Sequence, residues 1–574
     1  MSKDTSVKLH NSLPGTPNFF RQLAPRPAIQ AGKTGWLFQL WAPEADQVSV
    51  AGDFNRWDPA AAPMTQDGTG LWKAFLPQPE EGQLYKYVFH HADGTLQYYS
   101  DPWAVSTEPP PGTAARLFDL DRYAWQDENW LRFRRQAEAA RRPQTLYHIQ
   151  LSAWRRTGAG EALSCRELTA YLVPYLKKMG YTGAVIRSDN ALFFAPPAAL
   201  DSPDGWMYLI DQLHQAGLSA FLDWHPDRCP AAYNALLALN LPSDGDSPSD
   251  SLSLDWTDPE VRSLLIASAT FWLDRYHLDG LRIDAADPVR YLRGSGARNF
   301  LGALQREITR LCPDAMLILN SPFPLPDFAG WQERSGLPLL DLFRGAGTAP
   351  CAELLSDGLL ALSASQFQAP APSFLDCFSG NDAERRAAAR ACYLAFLALP
   401  GRKLVSMGTE LGQHIGWRSN VSLDWHLLER TAYQTHHAFF QAANALYLTE
   451  SVLWSQAFQW YPVFCGQQNL LSFLRQATSG SAILCLCNPT ATPFSCGTLS
   501  LPGIGTCQIL LSSDEKRFGG ANTCSILPCP VAPEQPGSQL QVYLPPRTCV
   551  LIRYIPARRP DPLGSPPPDS LRSR

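Results

Sequence analysis

The stretch TDPEVRSLLIASATFWLDRYHLDGLRIDAAD, Thr257–Asp287, sets the frame for the rest of the chain. Thr257 or Asp258 caps a helix with Pro259 in its first turn, and the helix runs into the apolar strand GLRIDAA. Similar helix-to-strand units lie on both sides. LTAYLVPYLKKMG precedes YTGAVIRSD, WMYLIDQLHQAG precedes LSAFLDW, NFLGALQREITRLC precedes AMLILN, and ERRAAARACYLAFLALPG precedes RKLVSMG. Such repetition over about three hundred residues predicts a (β/α) barrel, with a doubly wound sheet as the alternative. No glycine-rich phosphate loop follows any strand, which argues against nucleotide binding.

The texture changes at both ends. WLFQLWAP, QVSVAGDF, LWKAFLP, LYKYVFH and LQYYSDP read as short strands parted by Gly, Pro, Asp and Asn turns, hence a small β-sandwich. After about residue 450, NLLSFLRQ, SAILCLCNPT, TCQILLSS and TCVLIRYIP read as a second one. The closing ARRPDPLGSPPPDSLRSR has almost nothing to bury. The expected plan is an extension over 1–33, a β-sandwich over 34–122, a barrel over 123–450, a second β-sandwich over 451–556 and a disordered tail over 557–574.

The 574 residues are 45% hydrophobic and 18% charged, as in a globular multidomain protein, and 17 Trp, 19 Tyr and 27 Phe supply ring faces for a core or for sugars. The net charge of −5, without a long Lys/Arg run, argues against nucleic acid or an anionic membrane as partner. A neutral polymer or small molecule fits better. The start, MSKDTSVKLHNSLPG, has no apolar stretch, and no segment approaches the length of a membrane span, so the cytoplasm is expected. The 14 Cys are scattered, without CxxC or zinc spacing, and read as reduced thiols; Cys485 and Cys487 read as facing opposite sides of one strand. No metal or cofactor is implied.

Active sites of (β/α) barrels lie at the carboxyl ends of the strands. AFLDWHP offers Asp223 there, GLRIDAAD offers Arg282 and Asp284, and MLILNSPF offers Asn320 and Ser321. Alternation puts Arg282 and Asp284 on one face. A guanidinium there would keep Asp284 ionised and oriented as a nucleophile, or the two form a structural ion pair inside the barrel; both readings stand open.

Several segments resemble, in order, those of glycogen (1,4-α-glucan) branching enzymes of the α-amylase clan: LWAPEADQVSVAGDFNRWD, YHIQLSAWRR, MYLIDQLHQAGLSAFLDWHP, FWLDRYHLDGLRIDA, PGRKLVSMGTELGQ and SLDWHLLE. The likeness covers roughly residues 34–555. It implies a (β/α)8 TIM barrel between an N-terminal glycan-binding β-sandwich and a C-terminal all-β sandwich. It also implies transfer of α-1,4-glucan chains to 6-hydroxyls, with α-1,4-glucan or glycogen and other glycogen-pathway enzymes as partners. By resemblance Asp284 stands at the nucleophile position, with Arg282 beside it, and Asp223 matches the aspartate after the third strand. The rest of the set departs from the pattern. Asn320 and Ser321 replace Glu-Glu after the fifth strand, Ala364 and Ser365 replace a His-Asp pair, Arg228 replaces a His, and Phe193 and Phe194 replace tyrosines. An Asn amide cannot deliver or recover a proton. The expectation is therefore a glucan-binding protein with impaired or absent branching activity. The alternative is an active enzyme using an unrecognised acid/base, with Asp327, Asp376 and Asp382 as nearby carboxylates. In the glycan-binding module, Trp57, Lys86 and Tyr98 match the family's sugar platform; Trp57 either stacks on sugar or packs under its turn.

Overall fold

In the computed structural model, residues 23–42, 45–68, 70–136, 142–187, 193–225, 259–284, 295–320, 330–344, 358–362, 373–416, 418, 420–455, 458–462, 470–477, 481–501, 505–529 and 538–556 are described.

The N-terminal module holds β1 (Arg26–Gln30), β2 (Lys33–Trp41), β3 (Gln47–Gly52), β4 (Thr65–Gln66), β5 (Leu71–Leu76), β6 (Leu84–His90), β7 (Leu96–Tyr99) and β8 (Ala115–Arg116). One sheet runs β1-β2-β5-β4; the other runs β3-β6-β7, with β8 on β6. Phe38, Leu40, Val48, Val50, Tyr85 and Tyr87 fill the space between them. The sheet starts before residue 34: β1 pairs with β2 from Arg26↔Leu37 to Gln30↔Lys33, so the expected extension contains a strand. RPAIQ is Pro-bearing and mostly exposed, and it carries no apolar alternation that would announce an edge strand.

Asp101 closes this module from inside. It accepts the Tyr85 hydroxyl at 2.6 Å and the Trp103 N–H at 2.8 Å. Burial pushes its carboxyl up to about 7, against the lowering pull of those two bonds. The folded protein thus holds a proton that the unfolded chain releases near its ordinary value. Asp101's contribution is fullest below that value and is lost as pH rises through about 7. Asp101→Asn keeps the shape and is expected to remove this slope, gaining on the wild type by about 1.4 kcal/mol per unit of the shift. Urea midpoints of both proteins across this pH range check it; parallel curves would refute it.

The barrel strands are β9 (Thr145–Gln150), β10 (Gly183–Arg187), β11 (Ser219–Trp224), β12 (Gly280–Asp284), β13 (Met316–Asn320), β14 (Trp331–Ser335), β15 (Leu359–Leu362) and β16 (Arg402–Ser406). All neighbours are parallel, and β16 closes on β9 with Ser406↔His148. The doubly wound alternative is thereby excluded. Around and beside the barrel stand α1 (Glu128–Arg134), α2 (Leu151–Trp154), α3 (Cys165–Met179), α4 (Pro203–Gln215), α5 (Pro259–Arg275), α6 (Ser295–Leu311), α7 (Leu337–Arg344), α8 (Asp382–Ala398) and α9 (Thr431–Thr449). Local chemistry sets the helix ends. Ser164 and Glu167 form a capping box on α3, which stops at left-handed Gly180, and the Asn381 side chain accepts from the N–H groups of Ala383 and Glu384 to start α8. Gly280 is required where β12 begins: a Cβ there would lie 2.0 Å from the Met316 carbonyl oxygen.

Inside the barrel, Leu146, Val185, Phe221, Ile318, Trp331, Leu359, Ala361 and Leu404 form an apolar lower layer. Above it the interior turns polar, which is where the candidate site begins.

The C-terminal domain packs the sheet β17-β18-β19-β24-β21 on β20-β23-β22. Its strands are β17 (Phe458–Pro462), β18 (Leu471–Ala477), β19 (Ala482–Asn488), β20 (Phe494–Leu501), β21 (Gly505–Ser512), β22 (Ser525–Cys529), β23 (Ser538–Leu544) and β24 (Thr548–Pro556). Strand β19 is buried throughout because both faces are covered. Leu484 and Leu486 face the sandwich core, while Cys485 and Cys487 join the core that continues into the barrel. The two cysteines therefore share a face, contrary to the expectation, as a period of two demands. Cys487 is opposite Cys549, and the Cys485 and Cys549 sulfurs are 3.9 Å apart. Cys485, Cys487 and Cys549 are free thiols, as are Cys165, Cys312, Cys377, Cys392, Cys507 and Cys524.

Candidate functional site

Four strands contribute charged side chains to the layer above the apolar one. Asp223 on β11 and Arg282 on β12 are register partners, and Asp223 Oδ1 accepts from Arg282 Nη1 at 2.6 Å. The same guanidinium grips Glu333 of β14 with two bonds, Nε to Oε2 at 2.6 Å and Nη2 to Oε1 at 3.1 Å. His148 of β9 bonds Asp223 Oδ2 through Nε2 at 2.9 Å, and His225 Nε2 lies 3.2 Å from that oxygen. Arg282, Asp223, His148 and Glu333 are all buried. Burial pushes the Asp223 carboxyl up, but Arg282 first, then His225 and His148, outweigh it and hold the group well below the ordinary carboxylate range. The result is an anion–cation–anion chain, Asp223–Arg282–Glu333, across the barrel.

Asp284 is the last residue of β12, directly beside Asn320 at the end of β13, which in turn neighbours Glu333 on β14. Parallel partners point to the same side, so the register sets Asp284, Asn320 and Glu333 at one level. The side chain of Asp284 lies outside the described residues, as do Arg228, Ser321, Asp327, Ala364 and Ser365. The sequence pairs Arg282 with Asp284; the structure gives the guanidinium two further partners, Asp223 and Glu333. Glu333 escapes the sequence reading because WQERS alternates no apolar residues. One signal was available: a buried guanidinium carries five donors, which two carboxylates satisfy better than one.

The other carboxylates near the expected acid/base have other employment. Asp376 accepts from Arg385 at 2.8 Å and faces His414 Nδ1 at 3.1 Å, and Asp382, at the start of α8, lies 3.4 Å from His414 Nε2. Phe193 and Phe194 are core residues: the Phe194 ring packs tilted on Trp103 and edge-on to Phe271, and the Phe193 carbonyl accepts from Ser268 and Trp272.

In the N-terminal module, Lys86 on β6 is opposite Ala51 on β3, and Tyr98 on β7 is opposite Val88, so Lys86 and Tyr98 share a sheet face. Tyr98 is 42% exposed, and Lys86 Nζ donates to Thr113 Oγ1 at 2.7 Å. Trp57 folds back on the end of β3, its N–H on the Gly52 carbonyl at 2.9 Å and its indole N–H on Asp53 Oδ1 at 3.0 Å. It is half-buried and takes no part in the module's apolar core. Arg56 and Trp57 have φ of 56° and 60°, two successive non-glycine residues in the left-handed region.

Residues 25–104 match the family described as carbohydrate-binding module 48 (Isoamylase N-terminal domain), and residues 465–555 match alpha amylase, C-terminal all-beta domain. In fold the chain is similar to GBS pullulanase SAP, solved in complex with maltotetraose (TM-score 0.68, 13% identity, 94% of this chain and 89% of that one). It is similar also to the pullulanase of Bacillus acidopullulyticus (TM-score 0.65, 13% identity, 92% and 74%). A closed eight-stranded barrel with charged strand ends, set between these two β domains, defines an α-amylase-family protein. The 1,4-alpha-glucan branching enzyme GlgB of Rhodospirillum rubrum is 31% identical over 88% of this chain and 78% of that protein, and that of Desulfitobacterium hafniense is 31% identical over 78% and 81%. The chain belongs to the GlgB 1,4-alpha-glucan branching enzyme family. No helix among the described residues is long and apolar enough to cross a membrane.

Proposed function

We propose that this chain binds α-1,4-glucan or glycogen in the cytoplasm and has lost most or all branching activity. The observation that carries the reading is Asn320 at the end of β13, level with Asp284, where a retaining mechanism needs a carboxyl to protonate the leaving oxygen and deprotonate the acceptor. Among the described residues the carboxylate beside it is Glu333, and both of its oxygens are taken as acceptors by Arg282. The bidentate grip of Arg282 holds that carboxylate toward the guanidinium on β12. In this reading Asp284, Arg282 and Asp223 are what remains of the catalytic set. An active transferase with a different proton donor is the competing reading, and no described carboxylate favours it.

Binding falls to Trp57, Lys86 and Tyr98. An aromatic outside the core, held on two left-handed residues, costs stability that packing does not return, which argues for a ligand. Glycogen and pathway enzymes docked on it are the fitting partners. Co-sedimentation with glycogen tests this: the wild type should pellet, Trp57→Ala should bind about tenfold more weakly, and Trp57→Phe should keep most of the affinity. Amylose incubated alongside should gain no α-1,6 linkages. Undiminished pelleting of Trp57→Ala and Tyr98→Ala would refute the platform.

A further inference from the structure

At the end of the barrel opposite the candidate active site, the amino ends of β11, β13 and β14 floor a cavity of about 450 Å³. Helix α1 roofs it and is firmly anchored. Trp130 Nε1 donates to Asp279 at 2.8 Å, and Arg134 donates to Asp314 at 2.6 Å and to the carbonyls of His277 and Leu278 at 2.7 and 3.1 Å. The cavity is thus preformed, and its volume is in the range of small-molecule sites. Rings border it: Phe133 on α1, with Phe221 and Trp331 on the floor, 6.0 Å between ring centroids, and the Arg402 guanidinium 4.4 Å from the Trp331 ring.

Two arginines stand at the edge, each held only by a loose contact among the described residues. The Arg142 guanidinium lies 4.8 Å above the Phe133 ring. Arg135 has a side chain 70% exposed, and its closest acid oxygen, Asp314 Oδ2 at 3.9 Å, is already held by Arg134. Neither guanidinium donates a hydrogen bond among the described residues. Three arginines face two aspartates in the lining, so one positive charge is left over before any ligand enters. Gln144 and Ser219 add neutral hydrogen-bonding groups deeper in.

We propose that this amino-terminal mouth of the barrel binds a phosphorylated monosaccharide. A phosphomonoester presents the planar-fork acceptors that guanidinium groups match, and two forks neutralise its two charges. The sugar's apolar face lies on the rings, and its hydroxyls meet Gln144 and Ser219. The site is separate from the glucan platform and from the carboxyl end of the barrel, so it stands whether or not the chain branches glucan.

Isothermal titration of the full chain with glucose 6-phosphate, glucose and inorganic phosphate tests it. The sugar phosphate should bind saturably, at least about tenfold more tightly than either half, and Arg135→Ala with Arg142→Ala should weaken it about tenfold or more. Arg132→Ala, on the same helix but bonded to Asn129, should leave it unchanged. No binding by about 10 mM, equal affinity in the double variant, or inorganic phosphate binding as tightly as the sugar phosphate would each overturn the assignment.

Discussion

Given amylose, the purified protein is expected to form α-1,6 linkages at least about 10⁴-fold more slowly than a branching enzyme of its family, and Asp284→Ala should leave that residual rate unchanged. Positioned acid/base catalysis contributes roughly 10²–10⁴-fold. Loss of one preorganised group that stabilises transition-state charge removes about 10²–10³-fold more. The resemblance sets Asn320 where the first group is needed and Ser365 where the second is. Without a proton donor the glycosyl–oxygen bond does not break at a useful rate, so a nucleophile alone has nothing to displace. Loss of the amylose–iodine colour together with product linkages would register activity directly. A rate within about a hundredfold of the family's, abolished by Asp284→Ala, would mean that a donor outside Glu333, Asp376 and Asp382 completes the site.

Arg282→Met is expected to destabilise the barrel by about 3–5 kcal/mol, because it strands Asp223 and Glu333 as buried carboxylates without their shared cation. Replacing all three together with Leu, Met and Leu at 223, 282 and 333 should recover most of that loss, since apolar groups of similar volume carry no desolvation penalty. The pH dependence has a definite sign. Asp223 is held below its ordinary value, so its contribution is present above that value and lost as pH falls through the folded one. The acid limb of wild-type stability should therefore be steeper than that of Arg282→Met. Denaturant midpoints from pH 2 to 7 measure both effects. A cost under about 1 kcal/mol for Arg282→Met would mean that the charge chain is not the barrel's central tie.

Most of the barrel is legible in the sequence because its helices are long and capped and because strands such as AFLDW and MLILN are continuous apolar runs between them. The sixth and seventh strands are not. WQERS puts a buried glutamate and only one apolar residue on its inward face, and LLAL is too short to separate from its surroundings. The site follows the same division. Asp223, Arg282, Asp284 and Asn320 can be read because they end apolar strands, whereas Glu333 is recognised only once folding sets it against Arg282. Cys485 and Cys487 show the converse error: strand period two already put them on one face. The left-handed turn at Arg56 and Trp57, on which the proposed platform rests, has no composition signal, and the first strand fails to announce itself because an exposed edge needs no apolar pattern.

Arg475, buried on β18, sends its guanidinium out of the C-terminal sandwich to the carbonyls of Leu453 and Ser455 at 2.8 Å each, with longer contacts to those of Ala398 and Leu399 at the end of α8. Leu471, Phe473, Cys485, Cys487 and Leu551 belong to the same apolar core as the barrel helices. The C-terminal sandwich is thus not a detachable passenger. Cut from its barrel it would bare a cysteine-lined sheet face and leave an arginine hunting for carbonyls, while the barrel would lose the cover on α8. A chimera that swaps this domain must carry α8 and α9 with it, and a protease that nicks near residue 455 should yield two halves that stay together until both unfold.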